Sequence, residues 1–360
     1  MKPRALLLGG MVAVVVAPAT AGATVKTVYM GEPPQYTKQF EQGNNGDANA
    51  FFPSSITVNA GAPVKFVPAG FHTLDIPAKG GSPVALFVPG DPLAGVNDAA
   101  GNPFWFNGQP SLGFNPALFN FTFGKTLTYT GKAAVDSGLP VQNNPKPVTV
   151  KFAKPGTYTY YCDVHAGMKA TVHVVAKKAK APSVKSDAKA VTNQVKKALK
   201  ALKALSRTKP GSGTIQIGAS APHGVESYQF FPAATTVAAG TTVTFKMPVN
   251  STEVHTATTG PGDPEQDPTS YLGTISASLN GPGDPGTIAE ALYASDQPGG
   301  TPASLTPTLH GNGFWNTGAL DAAGATPLAS SNTVTFTQAG TYTFYCLIHP
   351  FMKATVTVTS

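Results

Sequence analysis

The sequence predicts an all-β chain made of two β-sandwiches, and three observations lead there. Gly (38) and Pro (33) are abundant among the 360 residues, while charged residues are only 12%. That composition interrupts long helices and supplies turns. Hydrophobic residues make up 41%, enough for packed cores and too many for a disordered chain. Most of the chain is also written twice. Phe51-Phe52-Pro53 recurs as Phe230-Phe231-Pro232, and Ala60-Gly61, Val64 and Phe66 match Ala239-Gly240, Val243 and Phe245 in the same register. A repeat of ~150 residues is a domain rather than a solenoid unit.

Residues 1–23 read as an address. Met1–Arg4 carries two positive charges, Ala5–Ala17 is almost wholly apolar, and Ala19-Thr20-Ala21 and Ala21-Gly22-Ala23 are small-x-small sites. This is the pattern of a Sec-type signal peptide cleaved near Ala21–Ala23. The apolar run is shorter than the ~20 residues a membrane helix needs. The mature protein is therefore expected to be secreted, periplasmic or at the cell surface.

Residues 24–176 form the first expected domain. Ile56 and Val58, then Val64 and Phe66, alternate with polar or small neighbours about the Ala60-Gly61 turn. Tyr158, Tyr160 and Cys162 share one face of a later strand, and Val172 and Val174 one face of the next. Such short alternating strands favour an antiparallel sandwich.

Residues 177–212 are expected to be a basic linker. Over 177–209 eleven Lys or Arg face one acid, Asp187, while Val191, Val195, Leu199, Leu202 and Leu205 recur at helical spacing. A short amphipathic helix follows, capped by Ser186 or Asp187 and stopped by Pro210-Gly211. Its apolar stripe is expected against one of the domains, with a membrane-surface helix as the alternative.

Residues 213–360 form the second expected domain. Gly156-Thr-Tyr-Thr-Tyr-Tyr-Cys162 returns as Gly340-Thr-Tyr-Thr-Phe-Tyr-Cys346, and Met168-Lys-Ala-Thr-Val172 as Met352-Lys-Ala-Thr-Val356. Gly101-Asn-Pro-Phe-Trp105 pairs with Gly311-Asn-Gly-Phe-Trp315. On that pairing the first domain expands after the Trp motif and the second before it. The extra length reads as surface decoration, or else as a lid or docking surface.

The net charge of +7 points to nucleic acid only until it is mapped. The linker holds +10, while residues 210–360 hold Lys246 and Lys353 against nine acids. One acidic domain and a basic connector do not make a spread basic face. The linker can instead meet the acidic domain, an anionic partner or an anionic surface.

Each repeat ends in Cys-x-x-His-x-x-Met directly after a strand: Cys162, His165 and Met168, then Cys346, His349 and Met352. Each also carries a histidine after its early Val-x-Phe strand, His72 and His255. Two imidazoles, a thiolate and a thioether are the donor set that suits copper in electron transfer. The two cysteines could pair in a disulfide, but each holds the same place in its repeat, which argues for separate local roles. His173, His223 and His310 have no counterpart in the other repeat and are not expected to bind metal.

These motifs resemble the cupredoxins, or blue copper proteins, of the plastocyanin and amicyanin kind. Cys346-Leu-Ile-His-Pro-Phe-Met352-Lys is the nearer copy of the copper loop, and the likeness covers nearly all of both repeats outside their middle insertions. The resemblance implies Greek-key sandwiches joined by the basic helical linker. It also implies two type 1 copper ions, bound by His72, Cys162, His165 and Met168 and by His255, Cys346, His349 and Met352. It further implies an electron carrier that meets redox partner proteins through the exposed edge of a ligand histidine.

An oxidase or nitrite reductase is not expected. There is no His-x-His, and Tyr161, Asp163, Tyr345 and Leu347 rather than histidines flank the cysteines. The alternative is a copper-binding protein for storage or delivery without an obligatory redox partner, although His-rich or Met-rich tracts are absent.

Overall fold

The structure, a computed structural model, describes residues 24–42, 45–279 and 283–360. The signal peptide expected over 1–23 lies outside the described residues. Strands dominate, and among the described residues no helix is long and apolar enough to cross a membrane.

The N-terminal half packs two five-stranded sheets. One runs Phe51–Phe52, Lys26–Met30, Pro63–Pro68, Val148–Phe152, Thr126–Tyr129; the other runs Val135–Asp136, Asp75–Ile76, Gly156–Tyr161, Lys169–Val175, Ser55–Asn59. Alternation sets the core. Ala170, Val172 and Val174 point inward from one sheet to meet Val148, Val150 and Phe152 from the other, and Tyr160 is fully buried between Phe51 and Phe66. Each such large apolar side chain contributes about 1.5–3 kcal/mol by leaving water.

The C-terminal half repeats the plan. One sheet runs Ala303–Leu305, Ser331–Phe336, Thr241–Lys246, Thr214–Ala221, Val225–Phe231; the other runs Ala234–Ala238, Lys353–Thr359, Gly340–Tyr345, Thr258–Thr259, Trp315–Asn316.

The sheets are mixed rather than antiparallel throughout. Lys26–Met30 runs parallel to Pro63–Pro68, and Lys169–Val175 parallel to Ser55–Asn59. The Ala-Gly turn carries the chain from one sheet to the other instead of closing a hairpin. Ala60 N–H donates to Val175 O and Gly61 N–H to Phe152 O, one bond to each sheet, with Gly61 at φ +80°. Ala239, Gly240 and their partners Thr359 and Phe336 do the same. Only glycine adopts that φ without strain.

The Trp motifs are not equivalent. Trp315–Asn316 pairs with Thr258–Thr259, whereas the strand pairing with Asp75–Ile76 is Val135–Asp136. Val135 therefore stands where Trp315 does, and both halves insert their extra chain before this strand. Trp105 instead belongs to an insert, and its Nε1–H donates to Ala294 O at 2.8 Å. Leu93, Phe104 and Phe106 from the first insert bury against Leu272, Ile275, Ala289 and Phe314 from the second. The inserts join the two halves.

Two further elements tie the halves together. Strand Gly46–Ala48 adds to the C-terminal sheet beside Val225–Phe231. Helix Val184–Leu205 is capped by Ser183, whose side chain accepts from Ser186 N–H, while Asp187 in its first turn pairs with Lys26 at 2.8 Å. It ends at Leu205, ahead of Pro210. Its buried residues Val191, Val195, Ala198 and Leu202 pack with Phe40, Ala48 and Phe52 of the first half and Val225 of the second. The stripe is thus covered by both halves at once.

Candidate metal centres

In each half a strand end and the loop after the next-to-last strand meet at one point. His72 follows Pro63–Pro68, and Cys162, His165 and Met168 lie between Gly156–Tyr161 and Lys169–Val175. His72 Nδ1 and His165 Nδ1 are 3.0 Å apart, with Cys162 Sγ 3.9 Å from the first and 3.5 Å from the second. In the other half His255 Nδ1 and His349 Nδ1 are 3.0 Å apart, and Cys346 Sγ is 3.7 Å from each. Both thiols are buried and neither is in a disulfide.

The loops close by backbone bonds. Cys162 N–H donates to Met168 O and Met168 N–H to His165 O, with the same pair at Cys346, His349 and Met352. Met168 and Met352 are buried in the same core clusters as their cysteines.

The local chemistry fits a soft or borderline ion. In each centre a main-chain N–H donates to the sulfur at 3.4 Å, from Thr73 and from Thr256. Burial raises the pKa of both thiols, but the neighbouring imidazoles outweigh it and hold Cys162 and Cys346 well below the ordinary thiol range. A thiolate is the form that binds metal. Glycines leave room for the inner rings. A Cβ on Gly31 would come within 2.7 Å of the His72 ring, and one on Gly218 within 3.0 Å of His255 Nε2, both at positive φ. Three nitrogen and sulfur donors converge in each half, with a thioether in the loop.

Two residue types escaped the sequence reading. Thr73 and Thr256 pin the cysteine loops, since their hydroxyls accept from Asp163 N–H at 2.7 Å and Leu347 N–H at 2.8 Å. The repeated His-Thr dipeptide was the available signal. Glu253 is the other. Its Oε1 is 3.1 Å from His165 Nε2, across the junction of the halves, and its Oε2 is 3.7 Å from His349 Nε2. Asn49 Nδ2 and the Tyr228 hydroxyl also donate to Oε1, at 2.6 and 2.7 Å. One buried carboxylate thus joins the outer histidines of both centres. Burial raises its pKa, but His165, with His349 and His255, outweighs that and holds it ionised well below the ordinary range.

The exposed edge expected of a ligand histidine is nearly absent from the first centre. His165 is only 7% exposed because the second half covers it. His349 is partly exposed beside Phe351 in a cleft of about 970 Å³ that His72 and His165 also line, with Phe71, Phe87 and Phe114. The other histidines sit apart. His173 faces Thr157 on an exposed strand, His223 occupies a turn, and His310 lies between Asp98 and Asp296.

No protein-family model matches the chain, and no curated protein does. Solved structures do. The reduced Cu(I) form at pH 4 of an amicyanin point mutant is 15% identical, covering 43% of this chain and 89% of its own, at a TM-score of 0.21. Oxidised plastocyanin from Dryopteris crassirhizoma is 22% identical, covering 41% and 99%, also at 0.21. At these scores the likeness adds no weight to the geometry of the chain itself.

Proposed function

We propose that this chain is an exported electron carrier holding two type 1 copper ions. One is held by His72, Cys162, His165 and Met168, the other by His255, Cys346, His349 and Met352. The observation that carries the reading is the twice-built, buried set of two imidazole nitrogens and one thiolate, each with a methionine in its loop. When bound, copper supplies a one-electron couple, and this mixture of borderline and soft donors suits both of its valences.

The remaining work belongs to the chain. The imidazoles depress the thiol pKa, so each sulfur is ready as a thiolate. The amides of Thr73 and Thr256 donate to that sulfur and temper its charge. Glu253 accepts from His165 Nε2–H, which fixes the tautomer that turns Nδ1 inward, and it stands on the same edge of His349. The apolar surround of Met168 and Met352 keeps water from the sulfur. The cleft at His349 and Phe351 is where redox partner proteins would come close to an imidazole edge.

Metal analysis with visible spectroscopy tests this reading. The purified protein should carry two copper ions and a strong thiolate-to-Cu(II) absorption that reductant bleaches reversibly. Cys162→Ser and Cys346→Ser should each remove about half of that absorption. A protein that binds Cu(I) but never shows the band would overturn the carrier reading and leave copper storage or delivery.

A further inference from the structure

Beneath the first centre, three carboxylates converge from two strands and the Cys162 loop. Asp75 follows His72 by three residues, Asp163 follows Cys162 directly, and Asp136 lies opposite Asp75 in the sheet. One oxygen from each lies within 4.8 Å of the others. Asp75 is 1% exposed and Asp163 8%.

Each acid spends one oxygen on the protein. Asp75 Oδ2 accepts from Val84 N–H at 2.9 Å, Asp136 Oδ1 from Gly138 N–H at 2.6 Å, and Asp163 Oδ2 from the Thr73 hydroxyl at 2.8 Å. The other oxygen of each, Asp75 Oδ1, Asp136 Oδ2 and Asp163 Oδ1, is buried and meets no donor outside the cluster, within which Asp75 and Asp163 stand in hydrogen-bond reach of each other. No Lys, Arg or His forms an ion pair with any of the three among the described residues. Asp136 is half-buried and the other two acids are buried. Uncompensated charges with their free oxygens out of water are untenable, so either protons or a cation must neutralise them.

The second half shows that the fold does not require these acids. Its equivalent positions are Thr258, Asn316 and Leu347, with Thr258 Oγ1 donating to Asn316 Oδ1 at 2.8 Å and no carboxylate. The acids in the first half are an addition to the shared plan. Donor-held carboxylates that each bring an oxygen within 4.8 Å of the others match the way hard cations are bound.

We propose that Asp75, Asp136 and Asp163 form a binding site for one hard divalent cation of the calcium or magnesium class. The ion would link the His72 strand to the Cys162 loop through oxygen ligands only. Such ions do not compete for a thiolate and imidazole set, so this site stands or falls independently of the copper reading.

The test is a calcium and magnesium titration of the full chain, dialysed against a chelator of hard cations, followed by calorimetry and thermal unfolding. Asp136→Asn and Asp163→Leu serve as comparisons, each installing the residue of the other half. One ion per chain should bind with a dissociation constant on the order of 10⁻⁴ M or tighter. At about a hundredfold excess it should raise Tm by roughly 5–10 °C. Either variant should weaken binding at least about tenfold, while the Cys346 absorption of the copper-loaded protein stays unchanged. Terbium provides a second readout that needs no variant, because Tyr161 is the sheet partner of Asp75 and should sensitise its emission. The proposal is overturned if neither ion binds by about 10 mM, with no sensitised emission, in which case the cluster holds protons. It is overturned equally if both variants bind as the parent does.

Discussion

Replacing Glu253 by Gln keeps the shape of the side chain and removes its charge. Glu253 Oε1 receives three donors, from Asn49, Tyr228 and His165, at 2.6–3.1 Å. A hydrogen bond to an ionised partner contributes ~1.5–3 kcal/mol and one to a neutral partner ~0.5–1.5. Each of the three should therefore lose about 1 kcal/mol, for a total of about 3 kcal/mol. The new amide group would also face His349 Nε2, setting donor against donor. Urea unfolding of the copper-free protein should show this as a lower midpoint at unchanged slope. In the copper-loaded protein, loss of a negative charge beside both outer imidazoles should raise both midpoint potentials, because the oxidised ion is the more positive. A variant within about 0.5 kcal/mol of the parent would refute Glu253 as the join between the halves. A potential that moves in one centre only would refute its sharing by both.

Two further outcomes follow from buried groups. Burial pushes Glu226 up to about 8 from an ordinary 4.5. Its contribution should be fully present below pH 4.5 and decline as pH rises toward 8, because only the unfolded chain releases the proton there. The loss across that interval is on the order of 5 kcal/mol, and Glu226→Gln should flatten the alkaline limb of a stability–pH curve; an unchanged slope would count against it. Leu202 is 2% exposed on the helix between the halves, close against Gly46. Leu202→Ala should cost about 3 kcal/mol in thermal or urea unfolding, and a loss under about 0.5 kcal/mol would mean the helix does not brace them.

What could be read from the chain was what is local. The alternation through Tyr158–Cys162 and Val172–Val174 marks two neighbouring strands, because period two is written into consecutive residues. Cys-x-x-His-x-x-Met closes on itself through backbone bonds, so its spacing alone brings Cys162 to His165. The misreadings concern contacts between distant segments. Matching Trp105 with Trp315 rested on letters, whereas pairing to Asp75–Ile76 puts Val135 in the place of Trp315. Glu253 was invisible to a reading built on recurrence, since its counterpart two residues before His72 is Gly70. The Ala-Gly turn was legible as a turn, but its sequence does not say that each amide bonds a different sheet. Helix 184–205 showed its apolar stripe, but nothing in it told that both halves would share that stripe.

The junction changes what two centres in one chain can do. Two domains on a flexible tether would gain only a high effective concentration. Here Gly46–Ala48 is a strand of the opposite half, Trp105 bonds Ala294, and the helix fills the groove between, so the two centres have one fixed relation. Their outer histidines face inward on a single carboxylate instead of outward on two separate surfaces. His72, His165 and His349 all line the cleft, but His349 is the most exposed of them. On the proposed reading the centres are therefore unequal in exposure: the second offers an open imidazole beside Phe351, and the first meets the same cleft through a nearly buried one. A partner seated in that cleft would come close to both centres without parting the halves, which a strand pairing, an insert interface and the contacts of Glu253 hold together.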